Sequence, residues 1–178
     1  MSADPHCRRC RLCEGRTQVV HPDGDPSSPL LLIGEGPGEK EDRSGRPFVG
    51  RAGKWLDKCL EQADLRRDSV LITNTVRCRP PQNRRPEPDE MAACRPYLME
   101  ELPGRRLVVP LGATATENLL GRRVRMGEEA NLVREVVLDG MVIMVMPTYH
   151  PSACIYNKEA RVKLVEGLAM AKELSGLV

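Results

Sequence analysis

Seven cysteines stand in a chain of 178 residues, and three of them fall within the first thirteen positions. Cys7-Arg8-Arg9-Cys10 is a C-x2-C pair, and Cys10-Arg11-Leu12-Cys13 is a second that shares Cys10. Two thiolates at that spacing can grip one metal centre, and a distant pair, Cys78 and Cys94 with fifteen residues between them, can complete four ligands. Zinc would ordinarily want a second tight pair, so the wide separation favours an iron–sulfur cluster over zinc. The alternative is that Cys78 and Cys94 are simply buried thiols. Cys59 lies on the apolar face of a helical pattern and reads as core.

A second chemical stretch is GEGPGEKEDRSGRPFVG, Gly34 to Gly50, directly after the apolar run Pro29–Ile33. A strand that empties into a glycine loop often cradles phosphate on backbone N–H groups. Here the loop carries Glu35, Glu39, Glu41 and Asp42, which would repel an anion. The expected ligand is therefore not a phosphate. Elsewhere, Arg77 to Arg85 reads RCRPPQNRR, with four arginines and no acid, and the N-terminal CRRCR adds three more. Such clusters suit phosphate contacts or a solvated basic face.

These residues need elements to position them. Four short apolar runs recur, Leu30–Ile33, Val70–Thr73, Leu107–Leu111 and Met141–Met146, and each reads as a strand. Helical periodicity covers Ala52–Ala63, Asp89–Leu102 and Ala113–Leu120. Alternating strands and helices predict a three-layer α/β/α sandwich around a mainly parallel sheet of about four strands. Val133–Val137 and Met141–Met146, joined by Leu138-Asp139-Gly140, predict a hairpin. Ligands of such sheets bind at the carboxyl ends of the strands, so four loops should converge: Gly34–Gly50, Asn74–Pro88, Gly112 onward and Pro147–Tyr156.

The length suits one domain over 1–178 that buries roughly 70% of its unfolded surface, with no need of disulfides. A formal charge of +2 does not by itself predict a polyanion partner. No apolar run approaches the ~20 residues of a membrane span, and the N-terminus has no signal-like apolar stretch, so a cytoplasmic location is expected.

Taken in order, several motifs resemble the iron–sulfur uracil-DNA glycosylases of family 4. They are Cys7-x2-Cys10, Glu14-Gly15-Arg16-Thr17, GEGPGEKEDRSGRPFVG with the following AGKWLD, ITNTVRCRPPQNRRPEPDE, Cys94, Val108–Ala113 and PTYHPSAC. The resemblance implies a uracil-DNA glycosylase-like fold and an enzyme that flips uracil out of DNA and hydrolyses its N-glycosidic bond in base excision repair. It also implies a structural [4Fe–4S] cluster on Cys7, Cys10, Cys78 and Cys94, with Cys13 a competitor for Cys7. A monomer acting on uracil-containing single- or double-stranded DNA is expected, with replication or repair proteins as partners. Catalysis would rest on Glu35 and His150. The uracil pocket would comprise Gly36, Pro37, Glu41, Phe48, Asn74 and His150.

Within that resemblance each residue has a chemical rationale. Phe48, the only phenylalanine, would stack on the flipped base. The Asn74 amide offers a donor and an acceptor to uracil O4 and N3–H, a pattern cytosine reverses. A neutral His150 N–H would stabilise charge developing at O2. Glu35 would place the attacking water, and Gly36 stands where the best-known uracil glycosylases align an aspartate. Glu41 would wall off the C5 edge, and Glu39 is solvated. Arg84, Arg85, Ser152 and Ile155 would contact DNA, Ile155 as a wedge. Tyr156 replaces a family arginine, and its ring could stack on a neighbouring base. A non-catalytic or crosslinking relative is the competing reading, but the crosslinking type carries a histidine after its arginine-rich insert, and Gln82–Pro86 has none.

Overall fold

The computed structural model describes residues 3–178. Its elements in chain order are α1 (Leu12–Gly15), β1 (Asp23–Gly24), β2 (Leu30–Gly34), α2 (Glu39–Ser44), α3 (Arg51–Gln62), β3 (Leu71–Asn74), α4 (Pro88–Glu101), β4 (Leu107–Pro110), α5 (Ala113–Leu120), α6 (Met126–Glu129), β5 (Arg134–Leu138), β6 (Met141–Val145) and α7 (Lys158–Ser175). Short 3-10 turns lie at Arg67–Ser69, Pro81–Asn83 and Pro151–Ile155.

Among the described residues the strands form one six-stranded sheet in the order β1-β3-β2-β4-β6-β5. The four expected strands, β3, β2, β4 and β6, are its parallel centre, and β1 and β5 close the edges antiparallel. All five residues of β2 are buried, as a strand covered on both faces requires. Its side chains alternate between two cores. Leu30 and Leu32 join Ile72 and Val109 against Leu56 and Leu60 of α3 and Leu164 and Leu168 of α7. Leu31 and Ile33 join Leu71 and Val108 against Leu98 of α4, Leu102 just beyond it, and Ala115 and Leu119 of α5. The α/β/α sandwich follows from that two-residue period.

The predicted hairpin is present one residue later than expected, because Leu138 pairs with Met141 and leaves Asp139-Gly140 as a two-residue turn. Both turn residues have positive φ, +48° and +81°, as the tight turn needs. Sheet pairing fixes where the loops end. Gly34 pairs with Asn74, and Ile33 with Pro110, so the loops after three strands start side by side.

Five elements were not anticipated from the sequence: the four-residue helices α1 and α6, too short for any periodicity, and β1, α2 and α7. β1 has only two residues, too few for periodicity. α2 lies inside the glycine loop and has no apolar face; acids in its first turn suit the helix dipole, and Glu39 pairs with Arg43 four residues on, at 2.6 Å. α7 buries Ala160, Gly167, Ala171 and Ser175 beside Leu164 and Leu168, and these small residues weaken the apolar stripe that marks a helix face. Asn157 caps it by accepting the Ala160 N–H at 3.1 Å.

Because α7 covers half of one face, Leu168→Ala, at a fully buried position, should cost about 2–5 kcal/mol of stability in denaturant unfolding. A loss under about 1 kcal/mol would remove α7 from the core.

Candidate active site

All four loops converge. A cleft of about 420 Å³ at the carboxyl ends of the strands is lined by Glu35 to Gly38, Glu41, Phe48 and Gly50 from the first loop, Arg51 to Gly53 from the start of α3, Asn74, Pro80, Asn83 and Arg84 from the second loop, Leu111 to Thr114 from the third, and His150 and Ser152 from the fourth.

Its floor is set by Gly34, the last residue of β2. A Cβ there would lie 2.4 Å from Phe48 Cζ and 2.5 Å from Asn74 Oδ1, so glycine is what lets the ring and the amide meet. Phe48 is 6% exposed and has φ +52°, a left-handed conformation that costs a bulky residue energy. Its ring lies 5.5 Å from that of His150, at an interplanar angle of 36°. Asn74 is 3% exposed. Its backbone carbonyl accepts from Arg77 Nε at 3.3 Å. Thr75 anchors the turn beyond by donating its N–H and its hydroxyl to Gly34 O, each at 2.8 Å.

His150 has one defined tautomer. The Ser152 N–H donates to Nδ1 at 3.0 Å, and Ser152 Oγ lies 2.8 Å from the same nitrogen. Nδ1 is therefore the acceptor, and the ring proton of the neutral imidazole sits on Nε2. Desolvation lowers the His150 pKa to about 4. The ring is thus a neutral donor at any pH above about 5. Gly112, at φ +88°, leaves the space for it, since a Cβ there would come within 2.8 Å of His150 Cβ.

The acids of the glycine loop are each accounted for. Glu41 bridges the loop: Oε1 accepts from Gly38 N at 3.0 Å, and Oε2 from Val49 N at 2.9 Å and Gly50 N at 2.5 Å. It lines the cleft, but its carboxylate is committed to three backbone donors. Glu35 Oε2 accepts from the Thr114 hydroxyl at 2.6 Å. Asp42 is buried and accepts from Thr17 N at 2.8 Å. Glu39 is exposed and paired with Arg43.

The basic run is less free than its sequence suggests. Arg84 lines the cleft but binds buried Glu90 with both arms, at 2.7 and 3.1 Å, and Arg85 pairs with Glu117. Arg79 donates to Asn83 Oδ1 at 2.7 Å. At the rim, Arg51 lines the cleft and donates to Tyr156 Oη at 3.2 Å with its guanidinium 5.4 Å from the ring centroid. Tyr156 is 86% exposed. Ser152 is exposed and Ile155 half-buried, at opposite ends of the same 3-10 turn. Thr114, Arg51 and Arg67 (which donates to the Phe48 carbonyl) were not singled out from sequence. A hydroxyl after Gly112-Ala113 was the only available sign of Thr114, and Arg67 sits in an ordinary charged stretch.

Behind the second loop, Cys7, Cys10, Cys13, Cys78 and Cys94 line one small cavity with Arg16, Val19, Arg77 and Tyr97. Among the described residues no three ligating side chains close to the spacing of a single bound ion. The thiols line one shared space, and an all-cysteine donor set is one that suits thiophilic metals, zinc or iron–sulfur centres alike. Burial pushes the Cys94 thiol up to about 11 and raises Cys78 and Cys10 as well, so thiolates here call for a bound cation. Arg16 Nη1 donates to Cys7 O at 2.5 Å and reaches Cys78 Sγ at 3.5 Å, joining the N-terminal segment to the second loop. Cys59 is buried in the core beside α7, away from this group.

A doubly covered parallel sheet thus brings an apolar ring, an amide and a neutral imidazole together at the carboxyl ends of its strands, the arrangement of an α/β protein with a cleft at that edge. Comparison with known proteins gives the family. A family model described as the Uracil DNA glycosylase superfamily matches residues 21–170. The chain is 40% identical over 179 residues to the type-4 uracil-DNA glycosylase of Sulfurisphaera tokodaii, covering 95% of this chain and 80% of that protein. Identity is 40% over 174 residues with the type-4 enzyme of Saccharolobus solfataricus (94% and 81% covered) and 41% over 172 residues with that of Thermotoga maritima (93% and 88% covered). The chain belongs to the uracil-DNA glycosylase superfamily, among its type-4 members.

The His150 environment makes a signed prediction. A histidine depressed to about 4 in the folded state contributes stability that is complete above its unfolded value near 6.5 and is lost as pH falls towards 4. An NMR titration should therefore show His150 neutral at pH 5.5, and unfolding free energy should decline between pH 6.5 and 4. A His150 midpoint at 6 or above would contradict the desolvated site.

Proposed function

We propose that this protein excises uracil from DNA, flipping the nucleotide into the cleft, hydrolysing the N-glycosidic bond and leaving an abasic site for base excision repair. The observation that carries the reading is the meeting of Phe48, the Asn74 amide and the His150 ring in one cleft. Membership of the superfamily supports it.

Flipping costs a few kcal/mol of lost stacking and pairing, and stacking on an aromatic ring returns roughly 1–3 kcal/mol. Phe48 supplies that ring. Asn74 makes no side-chain hydrogen bond within the described residues, so its amide is free to donate to O4 and accept from N3–H. Cytosine would leave both groups unpaired. As the bond to the sugar breaks, negative charge gathers on O2, and His150 Nε2–H strengthens its hydrogen bond to it without first taking up a proton. Glu35, oriented by Thr114, holds the attacking water and faces the positive charge growing on the sugar. Gly36 and Pro37 let the loop backbone approach the base; a Cβ on Gly36 would press within 2.9 Å of Val76 Cγ2. Glu41 shapes the C5 side by holding Gly38, Val49 and Gly50 in place.

The DNA backbone would cross the rim at Arg51, Ser152, Ile155 and Tyr156. Arg84 and Arg85 reach phosphates only by sharing or leaving their carboxylates. A [4Fe–4S] cluster on Cys7, Cys10, Cys78 and Cys94 would tie the N-terminal segment to the second loop, and Cys13 is near enough to stand in for Cys7. In this reading the protein is a single-domain cytoplasmic monomer that acts on single- or double-stranded DNA, with replication or repair proteins as partners.

The test is uracil release from single-stranded, U·A and U·G oligonucleotides. His150→Ala should cut kcat by about 10²–10³-fold and leave DNA affinity nearly unchanged. Binding without release by the parent protein would favour a non-catalytic relative, and a covalent adduct a crosslinking one. The cluster is tested separately. Cys78→Ala or Cys94→Ala should lose iron and its visible absorbance, while Cys59→Ala keeps both. Full iron in all three variants would exclude this ligand set.

A further inference from the structure

Phe48 could not hold its left-handed backbone unaided, and one side chain accounts for how it does. Arg67, in the 3-10 turn before β3, spends all five of its N–H donors around the Pro47–Phe48 segment. Nη1 donates to Phe48 O at 2.8 Å and to Asp57 Oδ1 at 2.9 Å. Nη2 donates to Pro47 O at 2.5 Å and to Asp23 Oδ2 at 3.4 Å, and Nε to the same Asp23 oxygen at 3.4 Å. Arg46 holds Asp23 from the other side at 3.0 Å. Although burial opposes the charge, these two guanidiniums keep the Asp23 carboxyl below its ordinary range. Gly53 of α3 closes the opposite wall, since a Cβ there would lie 2.0 Å from Phe48 O.

We infer that Arg67 is the positioning residue for the base-stacking ring: its forked guanidinium clamps the Pro47 and Phe48 carbonyls, anchored by Asp23 of β1 and Asp57 of α3, and so holds the Phe48 ring over Gly34 and beside His150. The inference rests on the uracil-excision reading for its functional effect, but the clamp itself does not. Two adjacent carbonyls need a planar fork, and a lysine ammonium offers only a point charge. With the fork gone, Phe48 can relax to negative φ and its ring leaves the site where Gly34 made room for it.

The experiment compares Arg67→Lys in the parent and in a Phe48→Ala background, in the full-length protein. Lysine retains the charge facing Asp23 and Asp57, so the melting temperature should change little. Displacing the Phe48 ring should lower kcat/KM for uracil release about 100-fold in the parent background. In the Phe48→Ala background the same change should move it less than about twofold, because the group being positioned is already gone. Equal losses in both backgrounds, or none in the parent, would overturn the proposal. A readout independent of activity is the His150 ring-proton shift, which carries the ring current of Phe48 at 5.5 Å. Arg67→Lys should move that shift to the Phe48→Ala value, and an unmoved shift would also overturn the proposal. A parent protein that released no uracil would defeat the glycosylase reading, leaving the clamp to be decided by the shift alone. Should Arg67→Lys fail to fold, Asp57→Asn, which removes one anchor of the clamp, is read in the same two backgrounds by the same criteria.

Discussion

Everything at the cleft depends on an absent side chain. Gly34 closes the central strand, and the volume its Cβ would occupy is shared by the Phe48 ring and the Asn74 amide oxygen. On the proposed reading a stacking face and a hydrogen-bonding edge must sit at right distances from one flat ring, and close packing against a bare backbone sets those distances without adjustable parts. The parallel register makes this possible. Gly34 and Asn74 are direct partners across β2 and β3, so the amide is delivered by sheet geometry and only the phenyl ring must be brought in by a loop. That loop needs a bent backbone at Phe48, a glycine at 53 and a guanidinium fork at 67 to deliver it.

His150 is the electrostatic counterpart. A protonated imidazole would donate a stronger hydrogen bond, but in a desolvated cleft its charge would be costly before any substrate arrived. The depressed pKa removes that charge, and Ser152 fixes which nitrogen keeps the proton. A neutral donor held in place is worth most when charge appears on its partner late in the reaction, because nothing must reorganise at that moment.

The parts of this architecture that were legible in the sequence are those written locally. The four central strands are continuous apolar runs, the Asp-Gly turn states its own geometry, and the helices α3, α4 and α5 follow periodicity. The convergence of four loops followed from a general rule of parallel sheets. What escaped is written in distant pairings. Arg67 and Asp23 lie in unremarkable polar stretches and gain meaning only when β1 pairs with β3 and α3 packs beside them. Thr114 matters through Glu35, seventy-nine positions away. Arg84 and Arg85 looked free because Glu90 and Glu117, which neutralise them, sit on other elements. The small residues of α7 hid a long helix that nonetheless buries six positions, Leu164 and Leu168 among them.

The acids of the glycine loop explain why a strand–glycine–helix arrangement here does not bind phosphate. Such loops attract anions because their backbone N–H groups are unpaired and the following helix adds its dipole. In this protein the N–H groups of Gly38, Val49 and Gly50 are already taken by the Glu41 carboxylate, an anion supplied by the chain itself. Gly38 is the N-cap of α2, so the same carboxylate sits at that helix's positive end, and Gly50 is the N-cap of α3, so it reaches a second helix start as well. One side chain therefore cancels the anion-binding potential of both termini and ties together the two ends of the segment that carries Phe48. With those donors satisfied, a phosphate finds no vacant nest among the backbone N–H groups of the loop. What still faces the cleft is the Asn74 amide, the His150 imidazole and the Glu35 carboxylate, with Arg51 and Arg84 lining it as well, so on the proposed reading a ring with carbonyl oxygens and an N–H meets the amide and the imidazole while phosphates meet the guanidiniums.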